Sequence, residues 1–214
     1  VRTVLDGFSG STRVAQAFAQ SGLNTTANDT AVLSEVFANC YLKADKPDSF
    51  YAEILKHLNR LQGIDGWFTE HYGGNPNDKK KPFQIKNTRK LDAVRDEIDR
   101  LGLDFVDKSA VLTALILALD SVDSTLGHYA SYLADWSARS AKELVLKLPK
   151  RFALTTENTV LRGDVFDAIR GRTFDLAYFD PPYGSDNAKM PTSRVRYNAY
   201  YHLWTTVVLN DKPA

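Results

Sequence analysis

The sequence predicts an α/β protein: a parallel sheet flanked by helices, interrupted by a large and mostly helical insertion. Three observations carry this. The chain opens as strand, glycine-containing turn, helix, strand, acidic residue, helix, the order of the first half of a nucleotide-binding unit. Strand-like runs then stop from about residue 43 to 151 and resume beyond Pro149. The last of them, residues 174–179, ends in a proline-stiffened corner, Asp180-Pro-Pro-Tyr183.

The elements follow from local composition. Residues 2–5 read as a first strand, and Asp6-Gly-Phe-Ser-Gly-Ser-Thr12 as the turn after it. Residues 14–20 read as a helix that Gly22 stops. Residues 24–27 form a candidate second strand leading into Asn28-Asp29, and Thr30 is placed to cap a helix carrying Leu33, Val36 and Phe37. Within the insertion, residues 51–61 and 90–101 show apolar residues at helical spacing, and residues 73–78 are a loop by composition. Residues 109–119 are apolar nearly all round, which predicts a buried helix with Ser109 as its cap. Residues 155–162 are a strand candidate, Gly163-Asp164 a turn and residues 165–170 a short helix. The apolar run 174–179 suits a central parallel strand.

Composition narrows the function classes. With 27 Lys and Arg against 26 Asp and Glu, the net charge of +1 points to no partner by bulk electrostatics. One cysteine, Cys40, excludes an internal disulfide framework and a multi-cysteine zinc site. The longest apolar stretch falls short of the about 20 residues that cross a bilayer, and no signal peptide opens the chain, so a cytoplasmic protein without a membrane partner is expected. Asp120, Asp123 and His128 are expected to be helix-end polar residues rather than metal ligands.

The chemistry concentrates in three segments. A glycine turn between a first strand and a first helix lets backbone N–H groups approach a ligand. No Lys-Ser or Lys-Thr pair follows Gly10, which argues against a P-loop, and Ser11 stands where a nucleophile elbow would close on glycine. Asp29 lies 19 residues beyond Gly10, the interval at which dinucleotide sites place the acid that accepts from ribose hydroxyls. In Asp180-Pro-Pro-Tyr183 the prolines fix two φ angles, so a carboxylate, free carbonyls and an aromatic face keep a set relation. That set suits a planar base bearing an amino group: two acceptors for its two N–H donors and a ring for its face.

On these segments the sequence resembles the Dam-type class of S-adenosylmethionine-dependent DNA N6-adenine methyltransferases. The resemblance implies a Rossmann-like methyltransferase sheet built from residues 1–42 and 151–214, with residues 43–150 as the target-recognition insertion. It implies Asp6, Phe8, Ser9 and Gly10 around S-adenosyl-L-methionine, Asn28 and Asp29 at its ribose, Asp164 at its adenine and Val165 against that ring. Asp180, Pro181, Pro182 and Tyr183 become the catalytic motif, matched without departure. The turn departs from the family pattern at Gly7, where proline is usual, and at Thr12, where glycine is usual. Residues 127–136, Asn198, Tyr200, Tyr201 and Trp204 resemble further segments of such enzymes. A cofactor-binding segment before the glycine turn and more strands after the catalytic corner are also implied, so the chain is expected to be trimmed at both ends.

The expected partner is double-stranded DNA, with a cognate restriction endonuclease as a further implied partner. Two basic runs inside the insertion are candidates for phosphate contact: Lys79, Lys80, Lys81, Lys86 and Arg89, then Lys147, Lys150 and Arg151. An RNA amino-methyltransferase is the alternative enzyme, and a non-catalytic nucleic-acid-binding remnant the alternative of another class. The 135 residues between Asp29 and Asp164 favour DNA over RNA.

Overall fold

The computed structural model describes residues 1–212 apart from 76, 78–80, 128–132, 134 and 182–196, and of residues 197–200 the backbone alone. In chain order the elements are β1 (Thr3–Asp6), α1 (Arg13–Gln20), β2 (Asn24–Asp29), α2 (Val32–Ala38) with a π-helical turn (Asn39–Lys43), α3 (Asp48–Arg60), α4 (Trp67–Tyr72), β3 (Gly73–Gly74), β4 (Phe83–Gln84), α5 (Ile85–Arg100) and α6 (Phe105–Asp120). A 3₁₀ turn (Ala138–Ala141) is followed by β5 (Thr159–Arg162), α7 (Val165–Ile169), β6 (Leu176–Tyr178) and α8 (Tyr197–Leu209). No helix among the described residues is long and apolar enough to cross a membrane.

Two compact units divide the chain. The first comprises Val1–Lys46, Asp104–Thr113 and Lys150–Asn187. It holds a four-stranded, wholly parallel sheet in the order β5-β2-β1-β6. Val4 and Leu5 of β1 are fully buried, as a strand covered on both faces requires. Ala15 and Ala19 of α1, Ala27 of β2, and Ala38 and Leu42 form a core cluster, its small side chains letting helices lie close to the sheet. Gly22 ends α1 at φ +83°, its N–H reaching the carbonyl of Ala19.

The second unit comprises Pro47–Leu103, Ala114–Pro149 and Ala188–Ala214. Its helices bury Tyr51, Leu55, Leu58, Phe68, Leu91, Val94, Ile98, Leu115 and Leu119. Two asparagines clamp the extended stretch that follows the 3₁₀ turn. Asn87 of α5 donates to the Lys142 carbonyl at 3.0 Å and accepts the Leu144 N–H at 2.9 Å. Asn59 of α3 makes the same pair of bonds with Leu146, both at 2.9 Å. The buried backbone thus finds in side-chain amides the partners that a neighbouring strand would otherwise supply.

Several expectations are corrected at this level. Ser109 lies within α6, bonding back to the Phe105 carbonyl, and Asp104 accepts the Asp107 N–H at the helix start instead. Thr30 caps nothing; Ala31 is the N-cap of α2 and its N–H is taken by the Asp29 carboxylate. Helix α5 begins at Ile85 rather than 90, and β5 begins at Thr159 rather than 155. Strand β6 pairs with β1 alone among the described residues, and all three of its residues are exposed. An apolar run reports only what a strand could bury, so the central place expected for it does not appear.

Candidate functional site

In a parallel sheet every strand points its C-terminal end the same way, and the loops leaving that edge converge. Asp6 ends β1, Asn28 and Asp29 end β2, Gly163 and Asp164 follow β5, and Phe179 and Asp180 follow β6. Backbone and amide bonds knit these segments. Gly7 N–H donates to the Tyr178 carbonyl and Ser9 N–H to the Asn28 carbonyl, each at 2.9 Å. The Asn28 amide donates to the carbonyls of Gly7 and Gly163, each at 3.2 Å. Gly163 N–H in turn reaches the Asp29 carbonyl at 3.0 Å. All four sequence segments are therefore brought to one edge of the first unit.

Asp29 is used twice by the protein itself. One carboxylate oxygen accepts Gly10 N–H at 2.8 Å, the other Ala31 N–H at 2.9 Å. Each oxygen keeps a lone pair for a further donor. The acid thus fixes the exposed apex of the glycine turn, where a Cβ on Gly10 would meet nothing within 4 Å.

Asp6 is 1% exposed. One oxygen accepts Ala15 N–H at 3.0 Å, near the start of α1, while the other is buried without a protein partner. Burial raises its carboxyl to about 6, against the backbone bond from Ala15 and the Phe8 N–H nearby, which favour the anion; the carboxylates of Asp29 and Asp180 add to the rise. The carbonyl oxygen of the Asn28 side chain is likewise buried and unpartnered. Two unsatisfied acceptors at one sheet edge are what a hydrogen-bonding ligand would complete.

Both departures of the turn have structural accounts. A Cβ on Gly7 would lie 2.7 Å from the Phe179 ring and 3.1 Å from the Val165 side chain. The Phe179 ring fills that space and meets Phe8 edge-on, with centroids 6.4 Å apart. Thr12 adopts φ +64°, a left-handed conformation that glycine takes freely and a β-branched residue rarely does. Its hydroxyl donates to the Ser11 carbonyl and accepts from the Gln16 amide.

Asp164 caps α7, accepting Phe166 N–H at 2.8 Å. Val165 packs on the turn beside Gly7, whereas the next ring, Phe166, is 73% exposed. Sequence reading passed over Phe166, and an aromatic directly after a Gly-Asp turn was the signal available. Asp180 and Pro181 are exposed at the end of the β6 segment. Pro182 and Tyr183 lie outside the described residues, as do Lys79, Lys80 and His128, and the side chains of Asn198 and Tyr200.

The basic candidates are mostly engaged. Lys81 donates to the His71 carbonyl and Lys86 to the Ala141 carbonyl. Arg89 pairs with Asp65, 24 residues away in sequence, through two bonds. Arg151 donates to the carbonyls of Ala44 and Lys46, which makes it a brace within the first unit. Lys150 lies over the Phe152 ring, and Lys147 is exposed. Asp123 pairs with Arg139, and no group of metal-binding side chains occurs among the described residues.

Comparison with known proteins bears on the family. The chain is 27% identical to the type II methyltransferase M.NlaIII of Neisseria lactamica over 96% of its own length and 60% of that protein. It is 26% identical to the modification methylase StsI of Streptococcus sanguinis, covering 98% of the chain and 32% of that protein. The modification methylase LlaI of Lactococcus lactis subsp. lactis is 25% identical over 99% of the chain and 35% of its own length. The chain thus spans between about a third and three fifths of these relatives. No solved structure matches it. The model of one family, D12 class N6 adenine-specific DNA methyltransferase, matches residues 1–203, and the chain belongs to that family.

Proposed function

We propose that the protein transfers a methyl group from S-adenosylmethionine to the N6 amino group of an adenine flipped out of double-stranded DNA. The observation that carries this reading is the meeting of glycine turn, ribose acid and Asp180 at one sheet edge, with two buried acceptors left open there. Residues 1–42 and 151–214 form the catalytic part, and the mostly helical residues 43–150 recognise the target. Because its relatives are named as modification methylases, we place the protein in a restriction–modification pair, acting in the cytoplasm.

The donor set fits the cofactor. Asp6 offers an unsatisfied acceptor to the ammonium-bearing end, with Phe8, Ser9 and Gly10 beside it, and Asn28 offers another towards the ribose. Asp29 has lone pairs for the ribose hydroxyls, and Asp164, Val165 and the exposed Phe166 ring suit the adenine. When bound, S-adenosylmethionine supplies an electrophilic methyl group.

The amino nitrogen of adenine is a poor nucleophile because its lone pair is delocalised into the ring. Asp180 accepts a hydrogen bond from one of its N–H groups and the Pro181 carbonyl a hydrogen bond from the other, which favours a pyramidal nitrogen with a directed lone pair; after transfer the nitrogen releases its surplus proton to solvent beside the exposed Asp180. The same two acceptors stabilise the positive charge that develops on nitrogen during attack. Tyr183 stacks on the extruded base and offsets about 1–3 kcal/mol of the unstacking cost.

The test is incubation of the full-length protein with tritiated S-adenosylmethionine and either duplex DNA or RNA, followed by nucleoside digestion. Label in N6-methyldeoxyadenosine is expected. Label confined to RNA, or cofactor binding without transfer, overturns the reading. Asp180→Ala should abolish transfer while leaving cofactor affinity within about threefold.

A further inference from the structure

The second unit carries an aromatic mount that the reaction chemistry does not use. Helix α4, only six residues long, would not hold together in isolation. It is fixed from α5 by Asp92, which is 1% exposed and accepts the N–H groups of Phe68 and Thr69 at 2.9 Å and the Thr69 hydroxyl at 2.6 Å. A Cβ on Gly66 would lie 2.6 Å from that carboxylate, so the helix start is pressed onto it. A Cβ on Gly73 would lie 2.4 Å from the Thr88 hydroxyl, so the helix end is held as closely.

What this mount presents is a stacked pair. The Trp67 and His71 rings lie 4.2 Å apart at an interplanar angle of 19°. His71 is exposed. Its Nδ1 lies 2.8 Å from the Trp67 carbonyl; a carbonyl only accepts, so Nδ1 carries the proton, and the imidazole plane is set by stacking and by this bond together. The Lys81 ammonium donates to the His71 backbone carbonyl at 3.1 Å, adding a cation at the end of the helix, and Glu70 is the one acid on the helix.

We propose that this face of α4 is a DNA contact, with the outer face of the His71 ring stacking on a nucleobase and Lys81 meeting the adjacent phosphate. The occupant follows from chemistry: a fixed planar ring with an ammonium held on the backbone carbonyl of the same residue complements a base attached to a phosphodiester, and stacking on a ring is tolerant of base identity. The inference rests on the proposed action on DNA and names a surface that serves it outside the catalytic edge.

The test is steady-state methylation of duplex DNA by wild type, His71→Ala and His71→Phe, with KM for DNA and kcat measured separately. His71→Ala is expected to raise KM for DNA about tenfold, with kcat at saturating DNA and cofactor affinity within about twofold. His71→Phe keeps a ring on the Trp67 stack and is expected to stay within about threefold of wild type. DNA carrying 5-iododeoxyuridine should also crosslink on irradiation to the peptide containing Trp67 and His71. An unchanged KM in His71→Ala, or His71→Phe behaving as alanine does, overturns the stacking role. A wild-type enzyme that methylates DNA beside such variants would sink this inference alone; a wild-type enzyme that labels no DNA would sink the activity itself.

Discussion

Replacing Asp6 by asparagine should uncouple part of the protein's stability from pH. The Asp6 carboxyl is raised from 3.8 to about 6, chiefly by burial, so in the folded protein it holds its proton across a window where the unfolded chain has lost it. Stability falls as pH rises wherever the native state binds more protons. The Asp6 contribution is therefore fully present below about pH 4 and lost as pH rises through about 6. A shift of roughly two units corresponds to about 3 kcal/mol at 1.36 kcal/mol per unit. The amide introduced by Asp6→Asn cannot ionise and keeps an oxygen for Ala15 N–H, while its amino group occupies a position without a protein acceptor. That cost does not vary with pH and drops out of the comparison. Urea unfolding of both proteins from pH 4 to pH 8 provides the assay: the stability of Asp6→Asn minus that of wild type should rise by about 2 kcal/mol across the range, most steeply between 4 and 6, with the remainder of the change falling below pH 4. A difference that stays flat would refute the buried, proton-holding carboxyl. Cofactor affinity should fall in the same variant, because an unpartnered acceptor becomes a donor.

Two further changes probe how the site and its surroundings are held. Gly7→Ala drives a Cβ into the Phe179 ring and should cost about 1–3 kcal/mol by overpacking, with reduced transfer because Asp180 follows Phe179 directly; in thermal melts, adding Phe179→Ala should recover most of the loss. Asn87→Ala strips the partner from the buried Leu144 N–H and should cost about 2–4 kcal/mol, an unsatisfied amide plus lost bonds; limited trypsin digestion should then cut at Lys142 and Lys147 earlier than in wild type.

Much of the fold and the candidate site was legible because it rests on local chemistry. The first strand, turn and helix, the stop at Gly22, the acid after the second strand and the proline corner each announce themselves within a few residues. Their meeting at one edge follows from a parallel sheet, in which strand ends necessarily align. Element boundaries were less legible. Ser109 and Thr30 have the chemistry of caps, yet Asp104 and Asp29 lie nearer the orphan N–H groups and take them. Position, not residue type, decides which acceptor wins.

Residue order alone could specify the motifs, their sequence along the chain and the carboxylate-and-carbonyl chemistry of the Asp180-Pro181 corner, since these depend on covalent neighbours and intrinsic side-chain chemistry. Only the tertiary structure could decide that Asp6 would be buried with one oxygen unpaired, that Phe179 would fill the space above Gly7, and that Asp65 would oppose Arg89. It also decided that α4 would be mounted on a buried aspartate from another helix. Desolvation, steric exclusion and ion pairing depend on distance in space, and residues far apart in a chain acquire a distance only when it folds.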